Sequence, residues 1–108
     1  MKLINLTPYS GGTLVIAGRP KGDAARIQFG LPEIDKSDET AKVIIPPEVI
    51  SLNSSFFLGM FAQSIQTLGE DEFLKKYSFE CAPILFEDIT SGIRQALNKA
   101  NPLAPAFA

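Results

Sequence analysis

Two adjacent serines, Ser54 and Ser55, have the residue type and position that regulatory chemistry requires. They follow Asn53 and precede an apolar run, so they stand where a strand is expected to give way to a helix. Side-chain oxygens at such a position satisfy free amide groups of the helix N-terminus and stabilise the helix by about 1 kcal/mol. An exposed hydroxyl at this turn can also be read by a partner or phosphorylated by a kinase. The local sequence leaves both roles open.

The segment GRPKG, residues 18–22, is a second candidate because glycines and cations before a helix can cradle phosphate. Arg19 and Lys21 would supply charge, and Gly22 would allow close backbone approach. A P-loop requires Lys and then Ser or Thr after its last glycine, whereas an aspartate and an alanine follow here. The pattern therefore favours a surface turn over a nucleotide or small-ligand site at these three residues.

Other potentially reactive side chains are sparse, since the chain has no histidine and one cysteine. The usual general base, the usual zinc ligand and the Ser-His and Cys-His pairs are therefore missing. Cys81 lies in a predicted strand and is interpreted as a small core residue. The neighbours Glu87 and Asp88 point in different directions, and the acidic run 70–72 matches a helix dipole better than a cation cage. We expect no enzyme, no metal site and no cofactor.

Composition indicates one domain, because 108 residues with 45% hydrophobic and 20% charged side chains can bury a core unaided. The net charge of −2 and the scattered cations argue against nucleic acid as a partner. No apolar run approaches the roughly 20 residues of a membrane span, and no signal-peptide pattern opens the chain. We expect a cytoplasmic protein without a membrane partner, with its domain at 1–100 and a flexible tail at 101–108.

The first part of the chain is predicted to begin with a β-hairpin. Residues 2–6 and 13–17 are β-prone, and proline and paired glycines separate them. Residues 18–30 fit either a helix or a strand, and we favour a short helix. The charged segment 32–40 is predicted to be a surface loop.

The second part predicts alternating strands and helices. A β-branched run at 41–45, ended by two prolines, is typical of a buried strand. Helical spacing predicts a helix over 55–68, a short helix at 70–77 and a last helix over 84–100, with a strand at 77–81 before the last. This order favours a parallel strand pair joined by a right-handed crossover, and so an α/β sandwich.

The helix after the serines has apolar residues on every side. Phe56, Phe57, Met60 and Phe61 cannot share one face, because consecutive residues diverge by about 100° around a helix. Either this helix is buried nearly all round, or one aromatic ring is exposed for a partner. Gly59 lies within the helix at a cost of about 1 kcal/mol relative to alanine, which indicates close approach of another backbone.

A resemblance to the STAS-like domains of unknown function of bacterial proteins lies in the stretch VIIPPEVISLNSSFFLGMFAQSIQTLGEDEFLKKYSFEC and the following ITSGIRQAL. It is carried by Ser54-Ser55-Phe56, Gly59, Leu68-Gly69 and Phe73, with a weaker likeness in GRPKGDAAR, and it spans roughly residues 13 to 97. The resemblance implies a small α/β sandwich with a mixed four-stranded sheet and helices mainly on one face.

The resemblance also implies a regulatory function. STAS domains include the anti-anti-sigma factors, which are non-enzymatic switches that dock on ATPase-type kinases or other regulators. Their strand-to-helix turn carries Asp-Ser-Ser-Gly, and a serine there is phosphorylated. The matching stretch here is Asn53-Ser54-Ser55-Phe56, so Ser54, with Ser55 beside it, becomes the phosphorylation candidate, although asparagine replaces the aspartate and phenylalanine the glycine.

The leading hypothesis is therefore a protein-interaction module that uses loop 49–55 and the start of the following helix. Its expected partner contacts are Leu52, Asn53, Phe56 and Met60. A small-ligand or nucleotide site at GRPKG is the alternative. A homodimer through the aromatic-rich helix or the edge of the opening hairpin stays open.

Overall fold

A computed structural model describes residues 1–12 and 14–100, so the expected tail at 101–108 lies outside the described residues. No helix in this part of the chain is both long enough and apolar enough to cross a membrane. The elements in chain order are β1 (Lys2–Asn5), α1 (Thr7–Ser10), β2 (Val15–Ile16), α2 (Arg19–Gln28), α3 (Leu31–Lys36), β3 (Ala41–Ile44), β4 (Ser51–Leu52), α4 (Ser54–Leu68), α5 (Glu70–Lys76), β5 (Tyr77–Glu80) and α6 (Leu85–Ala100).

The chain forms an α/β fold in which all pairings between the described strands are parallel. Strands β1, β3 and β5 make one sheet in that order, and β2 and β4 make a second sheet of two strands. This differs from the expected single mixed sheet of four strands. Pro46 and Pro47 end β3 before the chain reaches β4, since proline has no amide donor for a ladder. The predicted parallel pair at 41–45 and 77–81 is confirmed as β3 and β5.

The predicted opening hairpin is wrong. Residues Thr7–Ser10 form a helical turn, and the side chain of Asn5 accepts a hydrogen bond from the Thr7 amide at 2.9 Å. This turn directs the chain away from β1, so β1 pairs with β3 and β2 pairs with β4. Proline and glycine correctly indicated a break after β1, but such residues do not determine which strands become neighbours.

The three-stranded sheet has one covered face. Phe61 of α4 packs against Tyr77 and Phe79 of β5, with ring centroids 5.8 and 5.5 Å apart. The opposite face is exposed: Leu3 lies on it at 64% exposure, and Lys42 and Glu80 form an ion pair there at 2.8 Å. Alternation of buried and exposed residues along each strand produces this division.

Helix α4 lies at the centre of the domain. The first of the two alternatives left open by the sequence is confirmed, since none of its aromatic rings is exposed. Phe56, Phe57, Met60 and Phe61 are all at most 1% exposed. The close backbone approach indicated by Gly59 is made by α2, because a Cβ on Gly59 would lie 2.7 Å from the carbonyl oxygen of Arg19. Helix α4 is therefore covered by α2, α6 and the sheet together.

The prediction of a surface loop at 32–40 is wrong for the first half of that segment, which belongs to α3. Leu31 and Ile34 of α3 are buried, and Pro32 lies in the first turn, where a missing amide hydrogen is harmless. Leu31 and Ile34 are three positions apart, which fits one face of a helix, but the charged residues around them favoured the prediction of a surface loop. The other predicted helices are found as α2, α4, α5 and α6.

Candidate functional site

The turn Asn53–Ser55, called here the serine turn, begins α4. Asn53 is the N-cap, and its Oδ1 accepts a hydrogen bond from the Ser55 amide at 2.8 Å. Ser54 is partly exposed and Ser55 is exposed. Within the described residues, neither serine hydroxyl makes a hydrogen bond to the protein. Capping is therefore performed by the asparagine, and both hydroxyls are available to another molecule.

Two contacts hold the serine turn in place. The Asn53 amide donates to the carbonyl of Ile16 at 2.8 Å, which ties the turn to the end of β2. The Leu52 amide donates to a carboxylate oxygen of Asp88 at 2.9 Å, which ties β4 to α6. Asp88 was considered only as a poor acid catalyst in the sequence. Its contact with the Leu52 amide gives it a positioning role, which can be recognised only when the packing of α6 against β4 is known.

We predict that Asn53→Ala lowers the free energy of unfolding by about 1 kcal/mol, because the Ser55 amide then loses its side-chain acceptor. Urea denaturation measures this change. Asn98→Ala, an exposed asparagine on α6, is the matched control and is expected to have little effect. Equal effects of the two substitutions would contradict the capping role of Asn53.

Of the four expected partner contacts, Asn53 is exposed at the serine turn, and the three apolar residues are not at the surface. Phe56 and Met60 are fully buried, and Leu52 is 4% exposed. A partner at this end of the domain would meet other apolar side chains, which the sequence did not single out. We call them the β2–β4 patch: Leu14, Val15 and Ile50, which are 51%, 42% and 54% exposed.

The residues of the β2–β4 patch lie on adjoining chain segments. The Ile50 amide donates to the carbonyl of Leu14 at 2.9 Å, and Val15 is in register with Ser51. Strand β4 runs from the patch directly into the serine turn. The patch and the turn therefore lie at the two ends of the same short strand.

The GRPKG segment forms the first turn of α2 and its N-cap, not an open loop. Arg19 and Lys21 are exposed. Gly22 is buried, and a Cβ there would lie 2.2 Å from the carbonyl oxygen of Phe56 in α4. Contact between helices thus explains this glycine without any phosphate.

A buried ionic cluster, which sequence reasoning missed, joins α2, α3, α4 and β5. Asp35 Oδ2 accepts from Arg26 Nη2 at 3.2 Å and from Ser64 Oγ at 2.6 Å, and its Oδ1 accepts from the Tyr77 hydroxyl at 2.6 Å. Arg26 Nη1 also donates to Ser64 Oγ at 2.8 Å and to the carbonyl of Met60 at 3.0 Å. The signal in the sequence was Ser64, a polar residue on the helix face that it shares with Met60, Phe61 and Leu68.

The electrostatics of this cluster suit a structural clamp. Burial, followed by the hydrogen bond to Asp35 and its charge, raises the pKa of the Tyr77 phenol far above its ordinary value. Tyr77 therefore stays protonated and keeps donating to Asp35. Burial likewise raises the pKa of the Cys81 thiol, so little nucleophilic thiolate exists at neutral pH.

The described residues contain no group of three or more histidine, cysteine, aspartate or glutamate side chains able to hold a metal ion. No family model, curated protein or solved structure matches the chain. The resemblance to STAS-like domains consequently rests on the sequence motifs alone.

Proposed function

We propose that this protein is a non-catalytic, STAS-like regulatory module that binds a protein partner through the serine turn and the β2–β4 patch. One observation carries the proposal: Asn53 caps α4, which leaves the hydroxyls of Ser54 and Ser55 free beside a strand whose other end is apolar and exposed. The STAS-like assignment rests on the sequence motifs given above, and the strand–turn–helix arrangement at 51–68 provides the turn on which those motifs depend.

The β2–β4 patch suits a protein partner better than a small ligand. Its three aliphatic side chains are about half exposed, and removal of exposed aliphatic surface from water is the usual driving force for contact between proteins. Burying them against a partner would remove apolar surface from water, and hydrogen bonds at the serine turn would add specificity. An ATPase-type kinase or a related regulator would meet this surface in the cytoplasm.

Phosphorylation of Ser54 or Ser55 would control this binding. A phosphate adds close to two negative charges at neutral pH. The helix dipole tolerates negative charge at the first turn of α4, so the domain would stay folded. The same charge would repel an acidic partner surface and would oppose desolvation by an apolar one. The carboxylate of Asp88, bonded to the Leu52 amide, adds to the negative field near the turn.

We predict that Ser54→Asp and Ser55→Asp each reduce recovery of the partner at least about tenfold while leaving the melting temperature unchanged or slightly higher. The measurement is quantitative mass spectrometry of proteins captured by the tagged chain from cells that express it natively. Ser91→Asp, which places the same charge on an exposed part of α6, is the matched control and should recover the partner normally.

Equal recovery by the serine-turn variants and the Ser91→Asp control would contradict the switch. Intact mass analysis of the native chain supplies a second arm, since a mass increase of one phosphate that maps to Ser54 or Ser55 is expected. A phosphate that maps to another residue would show that phosphorylation does not regulate binding through the serine turn.

The small-ligand or nucleotide alternative has weaker support. Arg19 and Lys21 are exposed at the start of α2, as such a site would need, but Gly22 is occupied by contact with α4. The alternative predicts a rise in melting temperature with nucleotide, because a ligand at 100 times its dissociation constant stabilises by about 2.7 kcal/mol.

A further inference from the structure

A groove runs along α4 on the side covered by α2 and α3. One part, a cavity of about 300 Å³, is lined by Arg26, Lys36, Gln63 and Thr67 among others. A second part, of about 460 Å³, shares Arg26 and Gln63 and continues between α2 and α4 as far as Arg19. Because the two parts share residues, they form one continuous surface, called here the α2–α4 groove. It is separate from the surface of the proposed function.

The end of the α2–α4 groove near α3 has one positive charge in excess, because Arg26 and Lys36 line it together with Asp35. The carboxylate of Asp35 is already occupied by three donors, Arg26, Ser64 and Tyr77. The side chain of Arg26 is 10% exposed, and its Nε is buried without a hydrogen-bond partner in the described part of the chain. Lys36 is exposed and makes no ion pair with any described residue. The complementary ligand group is a carboxylate.

The other end of the groove is apolar and electrically balanced. Leu58 and Ala62 line it and are 5% and 7% exposed, so only part of each side chain meets solvent. Arg19 and Asp23 lie at the same end and offset each other's charge. An aliphatic side chain fits here, and a negative charge is favoured only at the end marked by Lys36.

The length of the groove indicates a short peptide. From Leu58 to Thr67 helix α4 rises about 13 Å, at about 1.5 Å per residue. An extended peptide covers that distance with about four residues. We propose that the α2–α4 groove binds an extended peptide segment, with an acidic residue against Arg26 and Lys36 and an aliphatic residue against Leu58 and Ala62.

The test is a titration of the ¹⁵N-labelled full chain, followed by amide chemical shifts. The probes are the peptides acetyl-Leu-Ala-Ala-Asp-amide and acetyl-Asp-Ala-Ala-Leu-amide, which cover both chain directions. The comparators are the same peptides with asparagine in place of aspartate, and sodium acetate. We expect one aspartate peptide to shift amides around the groove and to bind at least about tenfold more tightly than its asparagine counterpart.

A charge placed in the groove supplies the matched test. Gln63 is exposed and lines both parts of the groove. The negative charge of Gln63→Glu should therefore weaken binding of the aspartate peptide at least about tenfold without unfolding the domain. Gln95→Glu makes the same change on α6 and should leave binding unchanged.

Four results with the peptides and the Gln63 variant would overturn the proposal. They are no titration at millimolar peptide, equal binding of the aspartate and asparagine peptides, shifts confined to residues away from the groove, and no effect of Gln63→Glu. If acetate shifted the same amides with the same affinity as the peptide, the site would accept small carboxylates and the peptide assignment would be wrong.

Discussion

Replacement of Arg26 by alanine is expected to lower the free energy of unfolding by about 3 to 5 kcal/mol, the range observed when one partner of a buried ion pair is removed. Asp35 would keep its hydrogen bonds from Ser64 and Tyr77 but would lose its counter-ion, and its side chain is only 6% exposed. Met60 would also lose a donor to its carbonyl oxygen. Urea denaturation measures the change as a lower midpoint at similar slope.

A double substitution separates the charge effect from simple loss of packing. Arg26→Met with Asp35→Leu removes both charges, so we expect it to be more stable than Arg26→Met alone. Lys75→Met is the surface control, because Lys75 and Glu72 are 75% and 64% exposed and such pairs contribute little. An effect of Arg26→Ala no larger than that of Lys75→Met would show that the buried cluster is not a clamp.

The second large effect is expected at Gly22. A Cβ there would lie 2.2 Å from the carbonyl oxygen of Phe56 and 3.0 Å from the amide nitrogen of Met60. Both neighbours are backbone atoms of α4, so relief requires α2 and α4 to separate. We predict that Gly22→Ala destabilises the domain by about 3 kcal/mol or more, at the upper end of overpacking effects.

The sign of the Gly22→Ala effect is decisive, and thermal unfolding measures it. Helix propensity alone predicts that alanine stabilises α2 by up to about 1 kcal/mol. The helix contact instead predicts a fall in melting temperature of at least about 10 °C, since 1 kcal/mol corresponds to several degrees in a domain of this size. Ala24→Ser, an exposed change in the same helix, should leave the melting temperature nearly unchanged. A rise for Gly22→Ala would contradict the packing described here.

The sequence predicted α4 well because local physics determines it. Apolar residues lie on every side of its first half, Gly59 requires a close neighbour and Gly69 ends the helix, so a buried helix was one of the two alternatives that the pattern allowed. The parallel pairing of β3 and β5 followed from the intervening helix, because a crossover connection favours parallel strands. These features need information from one segment or from its immediate neighbours.

The pairing of β1 with β3 and the buried cluster could not be predicted in the same way. The sequence of a β-prone segment does not specify which strand it pairs with, and the residues after β1 fit a hairpin and a helical turn equally well. Arg26 and Asp35 belong to types that are usually exposed, and they meet Ser64 and Tyr77 only after four elements pack. At the serine turn, the sequence located the hydroxyls but misjudged which apolar residues around them are exposed.

Site-specific photo-crosslinking tests the proposed partner surface directly. A photoreactive phenylalanine derivative replaces Ile50, which is 54% exposed in the β2–β4 patch, or Leu74, which is 45% exposed on α5, in cells that express the protein natively. The proposal predicts one protein crosslinked from position 50, none from position 74, and loss of that product in the Ser55→Asp background. Equal crosslinking from both positions, or none from position 50, would show that this surface does not bind a partner.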